Sequence, residues 1–193
     1  DVYKRQEDAC CRFDHGQCPR KGVHRSDVTV SQRSQGRETE IGITENPESD
    51  EDTKQIAAVL YYISENGLAL VAVEREVNHA DQVDEQARHI LEEQLNLAPD
   101  PYISAVPEGT KLEAVYVTNK GEAFVDLSTE ATTNHPGGSL DELFTIYALV
   151  NAVTSNLPSI TAVQILVGGK EVDTLAGHVD LRHPLQKNLS WVQ

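Results

Sequence analysis

The stretch HPGGSLDELFTIYALVNAVTSNLPSITAVQILVGGK, His135 to Lys170, decides how the chain folds. It reads as a turn, a capped helix, a short proline-containing loop and a buried strand. Ser139 is placed as the helix N-cap, and Glu142, three residues on, can reach back to the Ser139 backbone N–H, which together make a capping box. Leu140, Leu143, Phe144, Tyr147, Ala148, Val150 and Val153 then recur at helical spacing and form a broad apolar stripe. Asp141, Glu142, Thr145 and Asn151 take other angles and are expected outside that stripe. Asn156 and Pro158 end the helix, because proline disfavours helical geometry at the residue before it. Ile160 to Val167 alternates and is rich in β-branched residues, as a strand is. This unit promises scaffold rather than chemistry.

Upstream, the same plan is met once more. Ile56 to Ile63 and Leu68 to Val77 are strand-like runs around Glu65-Asn66-Gly67, and Asn-Gly accepts the positive φ angles of a hairpin turn. From Asp81 to Asn96 the period changes. Val83, Ala87, Ile90, Leu91 and Leu95 share one helical face, and acids fill the first turn where the helix dipole favours them. After a connection marked by Pro99 to Pro107, a second hairpin is expected from Leu112 to Thr118 and Glu122 to Leu127 around Asn119-Lys120-Gly121. A third strand pair, Ala162 to Val167 and Glu171 to Leu175, turns through Gly168-Gly169-Lys170.

The order ββα-ββα-ββ predicts an α+β fold, a two-layer sandwich with two helices on one face of a mostly antiparallel sheet. The expected interior is Val59, Tyr61, Ile90, Leu91, Val115, Val117, Phe124, Leu143, Phe144, Tyr147, Val163 and Ile165. These belong to a domain at residues 53–193. Residues 1–52 lack hydrophobic periodicity and are rich in Arg, Gln, Ser, Gly and acids, so they read as a disordered or linker tail. The opening DVYKRQ is similar to a stretch recurring at the ends of translated metagenomic contigs, which leaves open that part of this tail is not native coding sequence.

Charge divides the chain. Residues 1–37 hold eight Lys or Arg against five acids, residues 38–52 seven acids and no base, and residues 53–193 eight bases against nineteen acids. The domain is therefore strongly acidic and repels a phosphate backbone. Lys111, Lys120, Lys170, Arg182 and Lys187 are too dispersed to make a basic patch, so no nucleic-acid partner is expected. No run of roughly eighteen apolar residues encodes a membrane span, since Ser64 to Gly67 interrupts the apolar stretch Ile56 to Val73.

Residues of the types used in chemistry are few and scattered. Cys10, Cys11 and Cys18 with His15 have zinc-ligand character, but adjacent cysteines share a tetrahedral site poorly and no second ligand pair follows. Gly138-Ser139 lacks the second glycine of a nucleophile elbow. Asp126 and Glu130 read as solvated carboxylates, and His135, before Pro136, as a turn residue. Gly137-Gly138 before a helix could receive an anion, yet Asp141 and Glu142 are expected at that positive end. His178, Asp180 and His183 in GHVDLRH are the metal-ligand candidates; on a strand, residues 178 and 180 would share a face and 183 would point away. No catalytic residue and no cofactor is expected.

GEAFVDLS, then GGSLDE opening a helix, then LVNAVTSNLPSITAVQILVGGKEVDTLAGHVDL resembles the GerMN domain of spore germination and sporulation proteins and of envelope proteins in non-sporulating bacteria. The likeness spans roughly residues 54–190. It implies a fold similar to the ring-building motifs of secretion and sporulation complexes, no enzymatic activity, and a role in assembling or stabilising a transenvelope complex. It also implies an extracytoplasmic location, usually through a lipidated cysteine or one N-terminal helix, neither of which is recognisable here. One copy is present, where the sporulation prototype carries two. Protein partners, or like copies packed into oligomers, are the expected ligands. The alternative is a metal-assisted or carbohydrate-directed wall activity centred on His178, Asp180 and His183.

Overall fold

The computed structural model describes residues 54–193; the tail and its Cys10, Cys11, His15 and Cys18 group lie outside them. The first hairpin is β1 (Gln55–Ile63) and β2 (Leu70–Asn78), antiparallel throughout and followed by helix α1 (Val83–Leu95). The second is β3 (Leu112–Val117) and β4 (Glu122–Leu127). A four-residue helix α2 (Glu130–Thr133) precedes the long helix α3 (Ser139–Asn156). Strand β5 (Ala162–Val167) and the two-residue strands β6 (Lys170–Glu171) and β7 (Leu185–Gln186) complete the described chain.

The α+β class and the hairpin-helix alternation stand, with three refinements. The strands form two sheets rather than one: β1 and β2 make a two-stranded sheet, and β3, β4, β5 and β6 run in that order in a five-stranded sheet, with β7 also on β5. The β4–β5 pairing is parallel, because a crossover through α3 returns the chain in the same direction. The third hairpin is curtailed. After Glu171 the chain leaves the sheet, so Val172 to Leu175 and the segment holding His178 and Asp180 are loop, not strand.

Two apolar cores meet at the helices. Val115, Val125 and Ile165, on one face of the larger sheet, pack with Ala87 and Leu91 of α1 and with Ile146, Leu149 and Val153 of α3. Leu60 and Tyr62 of β1 pack with Ile90 of α1 and with Phe144, Ala148 and Ala152 of α3. Helix α3 is thus buried nearly all round, and its "outside" positions Glu142, Thr145 and Asn151 are buried with the rest. The apolar phase of β4 also differs from expectation. Ala123, Val125 and Leu127 face the core, while Phe124 lies half-buried on the opposite face beside Tyr116. Val59, Val117, Leu143 and Tyr147 are partly buried at the margins of the cores, and the other expected interior residues are fully inside.

Side-chain amides join the small sheet to the helices. Asn156 at the end of α3 accepts from Val59 N–H and donates to Val59 O, both at 2.8 Å, and Gln94 of α1 does the same for Tyr61 at 2.9 and 2.8 Å. Each amide presents the donor–acceptor pair that a neighbouring strand would, so the inner edge of β1 is satisfied without one. Gly121 fixes the other junction. Its carbonyl accepts from Thr161 N–H at 2.8 Å, its φ is +79°, and an added Cβ would lie 2.6 Å from Ser159 O. Only glycine lets the β3–β4 turn approach the start of β5 so closely.

Phe144→Ala is expected to lower the unfolding free energy by about 3–5 kcal/mol in urea denaturation, because it empties the centre of the second core. Phe124→Ala, on the outer face, should cost clearly less. Equal losses would place β4 in the opposite phase.

Candidate functional site

The densest cluster of polar side chains lies where α3 begins. Its N-cap is Gly138, at φ +93°, and Ser139 is the first helical residue with no side-chain cap bond. Glu142 does not reach back to form a capping box. Its carboxylate, fully buried, turns instead to the loop after β6 and accepts N–H bonds from Leu175 and Ala176 on Oε1 (2.8 and 2.9 Å) and from His178 on Oε2 (2.7 Å). Burial by itself would raise the Glu142 pKa, but the backbone N–H groups of Ala176, His178, Leu175 and Val179 outweigh it and hold the carboxyl below its ordinary value. A carboxylate so saturated is a poor base and a poor nucleophile.

His135 closes the other side. Its Nδ1 accepts from Gly137 N–H at 3.0 Å, and its Nε2 lies 3.3 Å from Thr145 Oγ1. Thr145 Oγ1 is 2.6 Å from Ala105 O and 3.0 Å from Asp141 O, so its proton goes to a carbonyl and the histidine Nε2–H donates to it. The ring is therefore neutral, with its hydrogen on Nε2. Burial lowers the His135 pKa, with His178 adding to that and the carboxylates Glu142 and Asp141 opposing it.

The sequence-derived candidates take separate places. His178 stands at the cluster, its Nδ1 3.7 Å from Glu142 Oε2, and contributes its backbone N–H. Asp180 is exposed and bound by Arg182 through Nε (2.9 Å) and Nη2 (2.6 Å), which holds its carboxyl well below the usual range. His183 is exposed in the loop leading to Pro184 and β7. Among the described residues, no group of three or more His, Cys, Asp or Glu is placed to hold a metal ion. Asp126 is buried rather than solvated, and its Oδ1 accepts from Gly169 N–H at 2.9 Å, holding the turn after β5.

Other buried polar residues escape an analysis that searches for ligands. Asn151 accepts from Asn188 N–H (2.9 Å) and donates to Asn188 O (2.8 Å), Gln164 donates to Leu181 O (2.6 Å), and Ser128 Oγ accepts from Lys111 N–H (3.0 Å). Their signal in the sequence is a polar side chain inside an apolar run, as in Leu-Val-Asn and Val-Gln-Ile. In each case a side chain bonds the backbone of a segment distant in sequence.

An α+β module with two helices on its larger sheet, whose buried polar groups serve as backbone clasps, is the class of protein this structure defines. Residues 59–173 match the family model for sporulation and spore germination, described as Germane, and the chain belongs to that family. Three solved structures share the fold, each matching 69% of this chain. The tandem GerMN domains of the sporulation protein GerM from Bacillus subtilis align with TM-score 0.54 and 20% identity over 46% of that chain. The first GerMN domain of the same protein aligns with TM-score 0.50 and 20% identity over 96% of its length. A candidate lipoprotein of Clostridium perfringens aligns with TM-score 0.51 and 23% identity over 88% of its length. No curated protein sequence matches the chain.

Glu142→Ala should lower stability by at least about 3 kcal/mol, since it strands several buried N–H donors, and hydrogen exchange should rise first at residues 175–179. Unchanged exchange in that loop would remove Glu142 as its clasp. The pH dependence has a defined sign. Both His135 and Glu142 have folded pKa values below their ordinary values of 6.5 and 4.5. Their contributions are complete above those values and are lost as pH falls toward the folded pKa values. Thermal unfolding followed by circular dichroism should show stability declining below about pH 6.5 and again below about pH 4.5. His135→Gln should flatten the first decline and leave the second.

Proposed function

We propose that this chain is a non-enzymatic protein-interaction module of the bacterial cell envelope, which assembles or stabilises a transenvelope complex. The observation that carries this is the use to which its polar residues are put. Glu142, Asp126, Asn151, Gln94, Gln164 and Asn156 all bond backbone within the domain. None of these groups is left with the freedom an active site needs, and Asp180 is held by Arg182. What the domain offers outward is surface: Tyr116 is 64% exposed on a terminal strand, and Ile103 and Leu97 project from loops.

Membership of the sporulation and spore germination family supports a role alongside other proteins, and the likeness to a candidate lipoprotein supports an envelope location. No helix among the described residues is long and apolar enough to cross a membrane. In this proposal a separate anchor supplies attachment, and the domain supplies contacts to a protein partner or to further copies.

Tagging the protein at its native locus, cross-linking in cells and separating envelope from cytosol tests this directly. The expected result is enrichment in the envelope fraction together with one reproducible cross-linked protein. Recovery in the cytosol alone, with no cross-linked species, would overturn the proposal. So would a wall-hydrolase activity of the purified chain that His178→Ala or His183→Ala abolishes.

A further inference from the structure

Strand β3 is one free edge of the larger sheet, and its geometry points to a specific use: pairing with β3 of a second copy, antiparallel, with Tyr116 beside Tyr116 across a two-fold axis. This rests on the interaction-module reading and names one partner for it.

Which backbone groups face outward follows from the ladder. Thr118 N–H donates to Glu122 O at 2.9 Å across the hairpin. Bonded and non-bonded pairs alternate in an antiparallel ladder. Tyr116 is therefore bonded to Phe124, while the N–H and C=O groups of Val115 and Val117 point away from β4. Strand β3 ends the sheet order, and among the described residues no other strand pairs with this edge. The bulge of β3 lies between Leu112 and Ala114, so the segment from Ala114 to Val117 is regular.

In the register Tyr116 to Tyr116, Val115 of each copy meets Val117 of the other. Four main-chain hydrogen bonds can form there. The two tyrosines occupy the non-hydrogen-bonded position, where side chains come closest. Because Tyr116 already stands beside Phe124, the joint completes a row Phe124, Tyr116, Tyr116, Phe124 over the outer face. It covers a tyrosine that is 64% exposed in the single copy.

Charge does not oppose this pairing despite the acidic domain. The turn residue Lys120 of one copy comes to the end of the strand where Leu112 of the second lies, between Lys111 and Glu113, so the charges there offset one another, and no charged side chain stands on the paired segment from Ala114 to Val117. The open edge of the small sheet is unsuited, and the far end of the larger sheet offers only the two-residue strands β6 and β7. On β2, Leu70 bonds Trp191 O and Gln193 N–H, so Ala72, Glu74 and Glu76 face outward along the same edge. Two exposed carboxylates there are the usual means of keeping a strand edge single.

Analytical ultracentrifugation of the full chain over a concentration series, with hydrogen exchange at Val115 and Val117, tests the inference. A reversible species of twice the 21.2 kDa chain mass is expected, with exchange at those two amides slowing as concentration rises. Tyr116→Lys should weaken the dimer by about tenfold or more without changing the melting temperature, and Tyr116→Phe should retain it. A chain monomeric at every concentration overturns edge pairing. So does a dimer in which the Val115 and Val117 amides exchange equally fast at low and high concentration, since another surface then holds it. Either result leaves the envelope-module reading to its own test. Cytosolic recovery beside an intact Tyr116-dependent dimer would sink that reading and leave the pairing.

Discussion

The Glu142 carboxylate is the constraint on which much of the structure depends. Taking an ionised carboxyl out of water costs several kcal/mol unless it is met by donors. Here the donors are main-chain N–H groups from a loop about thirty-five residues further on, at Leu175, Ala176 and His178. The requirement runs both ways. The loop after β6 has little regular structure to satisfy its amides, and the buried charge gives them a common acceptor. Because α3 carries Glu142 in its first turn, the loop is located relative to the helix by charge-assisted bonds rather than by strand pairing.

The same device recurs in neutral form. Asn156 and Gln94 close the inner edge of β1, Asn151 holds the segment at Asn188, and Gln164 holds Leu181. A single helix, α3, carries two of these groups, Asn151 and Asn156, together with Glu142, and lies between both apolar cores. The two sheets are thereby joined through helices, with no strand passing between them. That explains why α3 tolerates so many polar residues while buried: Glu142, Thr145 and Asn151 bond backbone of distant segments, and Thr154 bonds Val150 O one turn back in the helix.

Local pattern made the two hairpins and the two long helices legible, because Asn-Gly and Asn-Lys-Gly turns and the 3.6-residue period are properties of short segments. What escaped was long-range. Ser139 and Glu142 satisfy the spacing of a capping box, and nothing local distinguishes that from a glutamate whose partners lie beyond β5. Phe124 was expected inward. The outer face instead supplies Tyr116 as its cross-strand neighbour, and the smaller Ala123 and Val125 fit beneath the helices. The strand forecast for His178 failed for a related reason. Glu142 draws the backbone of that segment away from the sheet after Glu171. Of the candidate site, then, His178 was legible as a residue type but its role was not, since it acts through its amide.

These clasps bear on what family membership conveys. The positions that carry the resemblance include Asp126 and Ser128 in Val-Asp-Leu-Ser, Glu142 in Gly-Ser-x-x-Glu, Asn151 in Leu-Val-Asn and His178 in Gly-His-x-Asp. In this chain each of them makes a long-range bond to backbone or lends its own. They define how the module folds. The first four side chains are buried, so under the interaction-module proposal a partner would meet the outer face and edges of the sheets instead. Tyr116 is 64% exposed and takes no part in these clasps, so under the same proposal the choice of partner would be separable from the fold.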